Sequence, residues 1–183
     1  IQAMLDQAGL KATDEVVFVE HRNVSVTAEK VAINAVMAGC KSEYMPVIVA
    51  ALEAMVDPKW GFHGPATSTG GAGILIIVNG PAARDLGINS GEDLFGPGWR
   101  ANATIGRAIR LVMRNVLRCL PGTLDRSTMG HTGRYTYCIA ENEANSPWPP
   151  LHVERGFLPE QSTVTVFAAL APHQYYNQLS NTA

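Results

Sequence analysis

Charge is scarce in this sequence. Asp, Glu, Lys and Arg make up 16% of its 183 residues, against about a quarter in an ordinary soluble domain, so large buried faces are expected, some of them against other chains. What charge there is nearly cancels. The 14 Lys and Arg against 16 Asp and Glu give a formal net charge of -2, an overall balance that leaves no electrostatic footprint for nucleic acid and argues against such a partner. Long apolar runs are missing too: the longest, residues 74–78 (ILIIV), falls far short of the roughly 20 residues of a membrane span and suits a buried strand. Cysteine is sparse and irregular. Cys40, Cys119 and Cys138 are odd in number and form no CxxC pair, which excludes a disulfide framework and a zinc knuckle and points to a reducing, cytoplasmic setting. The start at Ile1 has no signal-peptide layout, and further chain upstream is expected.

What is present suits one α/β or α+β domain over residues 1–183, a mixed sheet with packed helices and long Gly-rich loops, ending in a loosely packed tail over 172–183. Residues 15–20 (EVVFVE) predict a strand. Thr27 opens a helix in which Val31, Ile33, Ala35, Val36 and Ala38 cover much of the circumference, so it is expected to be largely buried, with Gly39 as its stop. Ser42 is placed to cap a second helix over 43–56. A Gly-rich and hydroxyl-rich loop over 61–73 leads into a central strand at 74–78, broken by Asn79-Gly80-Pro81. After a second Gly-rich excursion over 87–98, residues 102–117 have helical spacing, with Ile105, Ile109, Val112, Met113 and Val116 inward and Arg107, Arg110, Arg114 and Arg118 outward; Asn102 suits its cap. Residues 135–140 and 162–170 predict two further strands.

Cys40 is the candidate nucleophile. At a helix-to-helix joint, N-terminal amides and the helix dipole favour a thiolate, and Lys41 adds positive charge; the alternative is a thiol that fills a tight corner. Cys138, in an apolar strand, joins it if both face one cavity, whereas Cys119 reads as structural. Glu141 directly follows that strand, at the kind of strand end where α/β proteins gather ligand-binding groups, and is the candidate general acid or base, or else part of a solvated turn. Glu43 and Tyr44 stand beside Cys40, placed either to orient a substrate or to serve as a helix-start carboxylate and a packing aromatic. Thr67, Ser68 and Thr69, with Gly70 and Gly71, offer hydroxyls and amides for a carboxylate or phosphate; no Gly-Lys-Ser/Thr follows, so this is not a P-loop. Asn79, Gly80, Asn102 and Arg107 add donors for a polar ligand. His21, His63, His131, His152 and His173 have no paired ligand spacing, so no metal set is assigned, no cofactor is named, and Cys40 would have to meet His131 or His152 in space.

The segments EKVAINAVMAGCKSEYMPV, LIIVNGP, LGINSG, FGPGWRANATIGRAIRL and YCIAENEANSPWPPLHVERGF together resemble the longer members of the UGSC-type group of bacterial thiol or selenol proteins, from about Thr27 to Val166. The resemblance implies an active domain in which Cys40, Glu43, Tyr44, Asn79, Asn102, Arg107, Cys138 and Glu141 line one site. The group's Cys-Gly-Ser-Cys segment does not occur in this sequence, so redox chemistry resting on that pair does not carry over. An upstream segment or a partner chain would supply it, or the chemistry proceeds without it.

The resulting expectation is a cysteine-dependent enzyme, or the catalytic subunit of one, acting on a small polar or anionic substrate by thiol transfer, desulfuration or hydrolysis. Its expected partners are further copies of itself in a homo-oligomer, or a chain carrying the missing segment; two alternatives remain, a non-catalytic structural or regulatory subunit of a hetero-oligomer and a metal-dependent hydratase or lyase.

Overall fold

The computed structural model describes residues 1–175 and 177–179. Helix α1 (Gln2–Ala8) ends at Gly9 and leads into the antiparallel hairpin β1 (Glu15–Val19) and β2 (Val24–Thr27). Helix α2 (Ala28–Ala38) follows at once. A 3-10 turn at Ser42–Tyr44 then runs into α3 (Met45–Val56), and a short helix α4 (His63–Thr67) interrupts the first Gly-rich loop.

The β-branched run GILIIVN forms β3 (Gly73–Asn79), the central strand of a three-stranded sheet. After α5 (Pro81–Asp85) and the long helix α6 (Arg100–Asn115), the chain returns as β4 (Cys138–Ala140), parallel to β3. Beyond α7 (Leu151–Glu154), β5 (Thr163–Ala169) pairs antiparallel on the other side of β3. This mixed sheet with helices packed on it bears out the α/β reading. The core lies where α3 meets β1 and β5 and where α6 meets α2, β3 and β4; Met45, Ile48, Leu52, Ile76, Ile105 and Ile109 are fully enclosed there. Among the described residues no helix is long and apolar enough to cross a membrane.

Several local expectations are corrected. Helix α2 is not buried all round: Ala28, Val31, Ala32 and Ala35 face inward, while Ile33, Val36 and Met37 are exposed. Ser42 caps no helix, because its hydroxyl turns to the Glu43 carboxylate and the 3-10 turn displaces the start of α3. Asn102 lies inside the first turn of α6 and reaches across to the backbone of Asn89. The strand expected over 135–140 is confined to its last three residues by a 3-10 turn at Thr132–Arg134. In the C-terminal tail the described residues from Ala171 onward are exposed and outside any helix or strand; Tyr176 and residues 180–183 lie outside the described residues.

Two features fix α6 in place. Gly106 lets the helix touch the segment entering β4, since a Cβ there would meet the backbone nitrogen of Tyr137 at 2.4 Å. Buried Asp125 bonds Arg110 on α6 at 2.6 Å and Arg134 at 2.7 Å. Burial pushes this carboxyl up, but the bonds from Arg134, Arg110 and the Ser127 N–H outweigh it and hold the group down at about 2.

Gly106→Ala is expected to lose about 2 kcal/mol in urea denaturation, although alanine favours a helix by about 1 kcal/mol over glycine. Asp125→Asn is expected to lose about 2 kcal/mol at pH 7 by stranding two half-buried guanidinium groups. Because the folded carboxyl titrates below its ordinary value of 3.8, its contribution is complete above about pH 5 and fades as pH falls toward 2. The denaturation midpoints of wild type and Asp125→Asn should therefore converge across that acid window.

Candidate active site at the strand ends

Parallel strands β3 and β4 end side by side, and the polar residues that follow them meet over a cavity of about 730 Å³. Asn79 closes β3 and is fully buried. Its side-chain nitrogen donates to the carboxylates of Glu141 at 2.5 Å and Glu143 at 2.8 Å. Since carboxylates only accept, the amide orientation is set, and its oxygen is left buried with no partner.

Each carboxylate is held a second time. Glu141 Oε2 also accepts the N–H of Leu151 at 2.9 Å, which ties the loop after β4 to the start of α7. Glu143 Oε1 also accepts the N–H of Gly80 at 2.8 Å. Gly80 has φ +80, and a Cβ there would lie 2.3 Å from the carbonyl oxygen of Gln161, so this turn requires glycine. In both residues one carboxylate oxygen is anchored, and the other carries no hydrogen bond among the described residues.

His152, 2% exposed, completes the cluster. Its Nε2 faces the carbonyl oxygen of Pro159 at 3.4 Å, and its Nδ1 lies 3.8 Å from Glu143 Oε1 with no hydrogen bond. A buried imidazole nitrogen beside a carboxylate is one proton away from a charge-assisted pair. Asn89 and Trp99 wall the same cavity, and Asn102 fixes that wall by bonding both the N–H and the carbonyl oxygen of Asn89. Arg84 is the only cation among the cavity's described lining residues.

Asn79, Gly80 and Glu141 are thus brought together as expected. Cys40 is not with them. Cys40 is 8% exposed, lines neither this cavity nor its neighbours, and donates through its sulfur to the carbonyl oxygen of Thr104 at 3.3 Å. Burial pushes the thiol up against the smaller opposing influences of Thr104 and Arg100, so the ionised, open sulfur expected from the helix joint is not what the fold holds. Glu43 and Tyr44 stay beside it. Glu43 is exposed, its carboxyl lowered chiefly by a backbone N–H, while Tyr44 is buried and its hydroxyl raised by burial. Cys138, buried with its thiol pushed far up by desolvation, lines a separate cavity of about 130 Å³ together with Asn102 and Tyr137.

The hydroxyl stretch is also divided. Thr67 donates back to the carbonyl oxygen of His63 and Ser68 accepts from Gly70, so both are spent locally, whereas Thr69 lines an arginine-rich cleft together with Arg107. The eight residues expected to line one site therefore occupy several. Among the described residues no group of three or more His, Cys, Asp or Glu side chains is arranged to hold a metal ion. Glu143 was not among the expected site residues, although it stands two places after Glu141, and His152, considered only as a partner for Cys40, lies beside Glu143 instead. No protein-family model, curated protein or solved structure matches the chain.

Native protein at pH 8 is expected to lose its three thiols to iodoacetamide at least roughly tenfold more slowly than the urea-unfolded chain, because buried protonated sulfur reacts only after local opening. Rapid single-site labelling of Cys40, located by mass spectrometry, would contradict this account of the helix joint.

Proposed function

We propose that the chain is an enzyme that moves protons on a small polar substrate bound at the ends of β3 and β4. One observation carries the reading: a single buried amide, Asn79, holds two glutamates by one oxygen each and leaves their other oxygens uncommitted beside a cavity. Anchoring removes the rotamer freedom that a surface glutamate would lose on binding, so the free oxygens are preorganised to take or return a proton. Glu141 is the proposed base. Glu143 with His152 is the proposed partner that returns the proton, because a proton added at His152 Nδ1 would satisfy both members.

Arg84 at the cavity wall favours a substrate carboxylate, and Trp99 offers a flat apolar side. This combination suits a small hydroxy acid or keto acid, with proton abstraction beside a carbonyl, or elimination and addition of water, as the reaction class. The resemblance to UGSC-type proteins supports an active domain, while the buried state of Cys40 weighs against the thiol step expected from the sequence. Exposed Ile33, Val36 and Met37 on one side of α2 support the further expectation of a partner chain.

The test is solvent exchange. The protein is incubated in D2O with a panel of small hydroxy, keto and amino acids, and deuterium uptake is read by mass spectrometry. At least one compound is expected to exchange, with Glu141→Gln slowing it by about 10²- to 10⁴-fold and Cys40→Ala leaving it near the wild-type rate. No exchange on any compound, or loss with Cys40→Ala and not with Glu141→Gln, would overturn the proposal.

A further inference from the structure

The charge that the sequence spends so sparingly is concentrated in one place. Arg107, Arg110 and Arg114 stand at i, i+3 and i+7 on α6, and loops bring Arg126 and Arg134 to face them around a cleft of about 690 Å³. Half of the chain's ten arginines meet there, in a protein whose net charge is -2. This cleft and the strand-end cavity have no lining residue in common.

The cleft is built rather than incidental. Asp125, the only carboxylate among its described lining residues, bonds Arg110 and Arg134 at the same time, and Arg134 also donates to the carbonyl oxygen of Ala72. Two guanidinium groups are therefore fixed. Arg126, exposed at the cleft, donates to the carbonyl oxygen of Thr123 at 3.0 Å. Arg107 and Arg114 carry no hydrogen bond or ion pair among the described residues. His131 adds no free donor, since one ring nitrogen accepts from Gly133 and the other faces the carbonyl oxygen of Ala169.

Five guanidinium groups against one carboxylate leave a large surplus of positive charge around a space the size of a metabolite site. We infer that this cleft binds a small organic ligand bearing two or more phosphoryl groups, of the nucleoside diphosphate class. Guanidinium forks match phosphoryl oxygens two at a time, and the unpaired Arg107 and Arg114 stand one turn to either side of the pinned Arg110, a spread that suits linked phosphates better than a single one. Tyr135, 68% exposed at the rim, presents a ring face for a planar base.

Titration calorimetry of the whole chain with inorganic pyrophosphate and with ADP tests this. Both probes are expected to bind in 50 mM salt, with affinity falling as salt is raised to 200 mM. The surface double variant Arg107→Ala/Arg114→Ala should weaken both by about tenfold or more. Tyr135→Ala should weaken ADP alone, and Glu141→Gln should bind both as the wild type does, which keeps this outcome separate from that at the strand ends. The inference is overturned if neither probe binds at millimolar concentration, if the double variant binds both unchanged, or if single-stranded RNA displaces ADP and binds more tightly.

Discussion

The arrangement at the strand ends depends on one side-chain amide. Asn79 sits where β3 stops, with no exposure to solvent, and has two N–H donors to give. Giving them to Glu141 and Glu143 holds two negative groups against the same nitrogen, a placement that isolated carboxylates would resist. Gly80 and Leu151 supply the second bond to each, so the turn after β3, the loop after β4 and the start of α7 are all drawn to one point. Without the amide, two half-buried carboxylate oxygens would each keep only one donor, and the loops they tie would lose their common anchor.

Much of this frame is legible in the sequence because it follows from short-range physics. The β-branched run before Asn79 and the apolar residues before Glu141 mark two strands, and the rule that ligand groups collect at strand ends then selects Asn79, Gly80 and Glu141. Glu143 and His152 are harder to see. Their partnership forms only after a loop containing Pro149 and Pro150 turns back and places Leu151 against Glu141, a contact set by tertiary structure and not by spacing.

Cys40 illustrates the opposite failure. The helix joint is where the sequence places it, and Gly39 does end α2 in a left-handed conformation. What the pattern does not reveal is that Ser42–Tyr44 forms a 3-10 turn before α3 and that the first turns of α6 close over the sulfur, offering the carbonyl oxygen of Thr104. Desolvation under that cover holds the proton on the thiol, whereas exposed amide donors would have favoured its loss. Likewise the i, i+3, i+7 arginines are visible along α6, but Asp125 and Arg134, which turn that stripe into a cleft, are brought against it by the chain between α6 and β4, a contact set by the fold and not by spacing.

Helix α6 also explains why the two charged regions remain distinct. Its first turn carries Asn102, a neutral side chain that braces the strand-end wall through Asn89, while Arg100 is drawn off to the carbonyl oxygen of Gly39 and the arginines of the cleft begin at Arg107. An arginine and a carboxylate about 4 Å apart attract by about 4 kcal/mol at the effective dielectric of a protein surface, enough to neutralise both as ligand groups. Asp125 is the exception that fits the same reasoning: one carboxylate pins two guanidinium groups and leaves three others uncommitted to any acid, so the cleft gains order while keeping most of its charge.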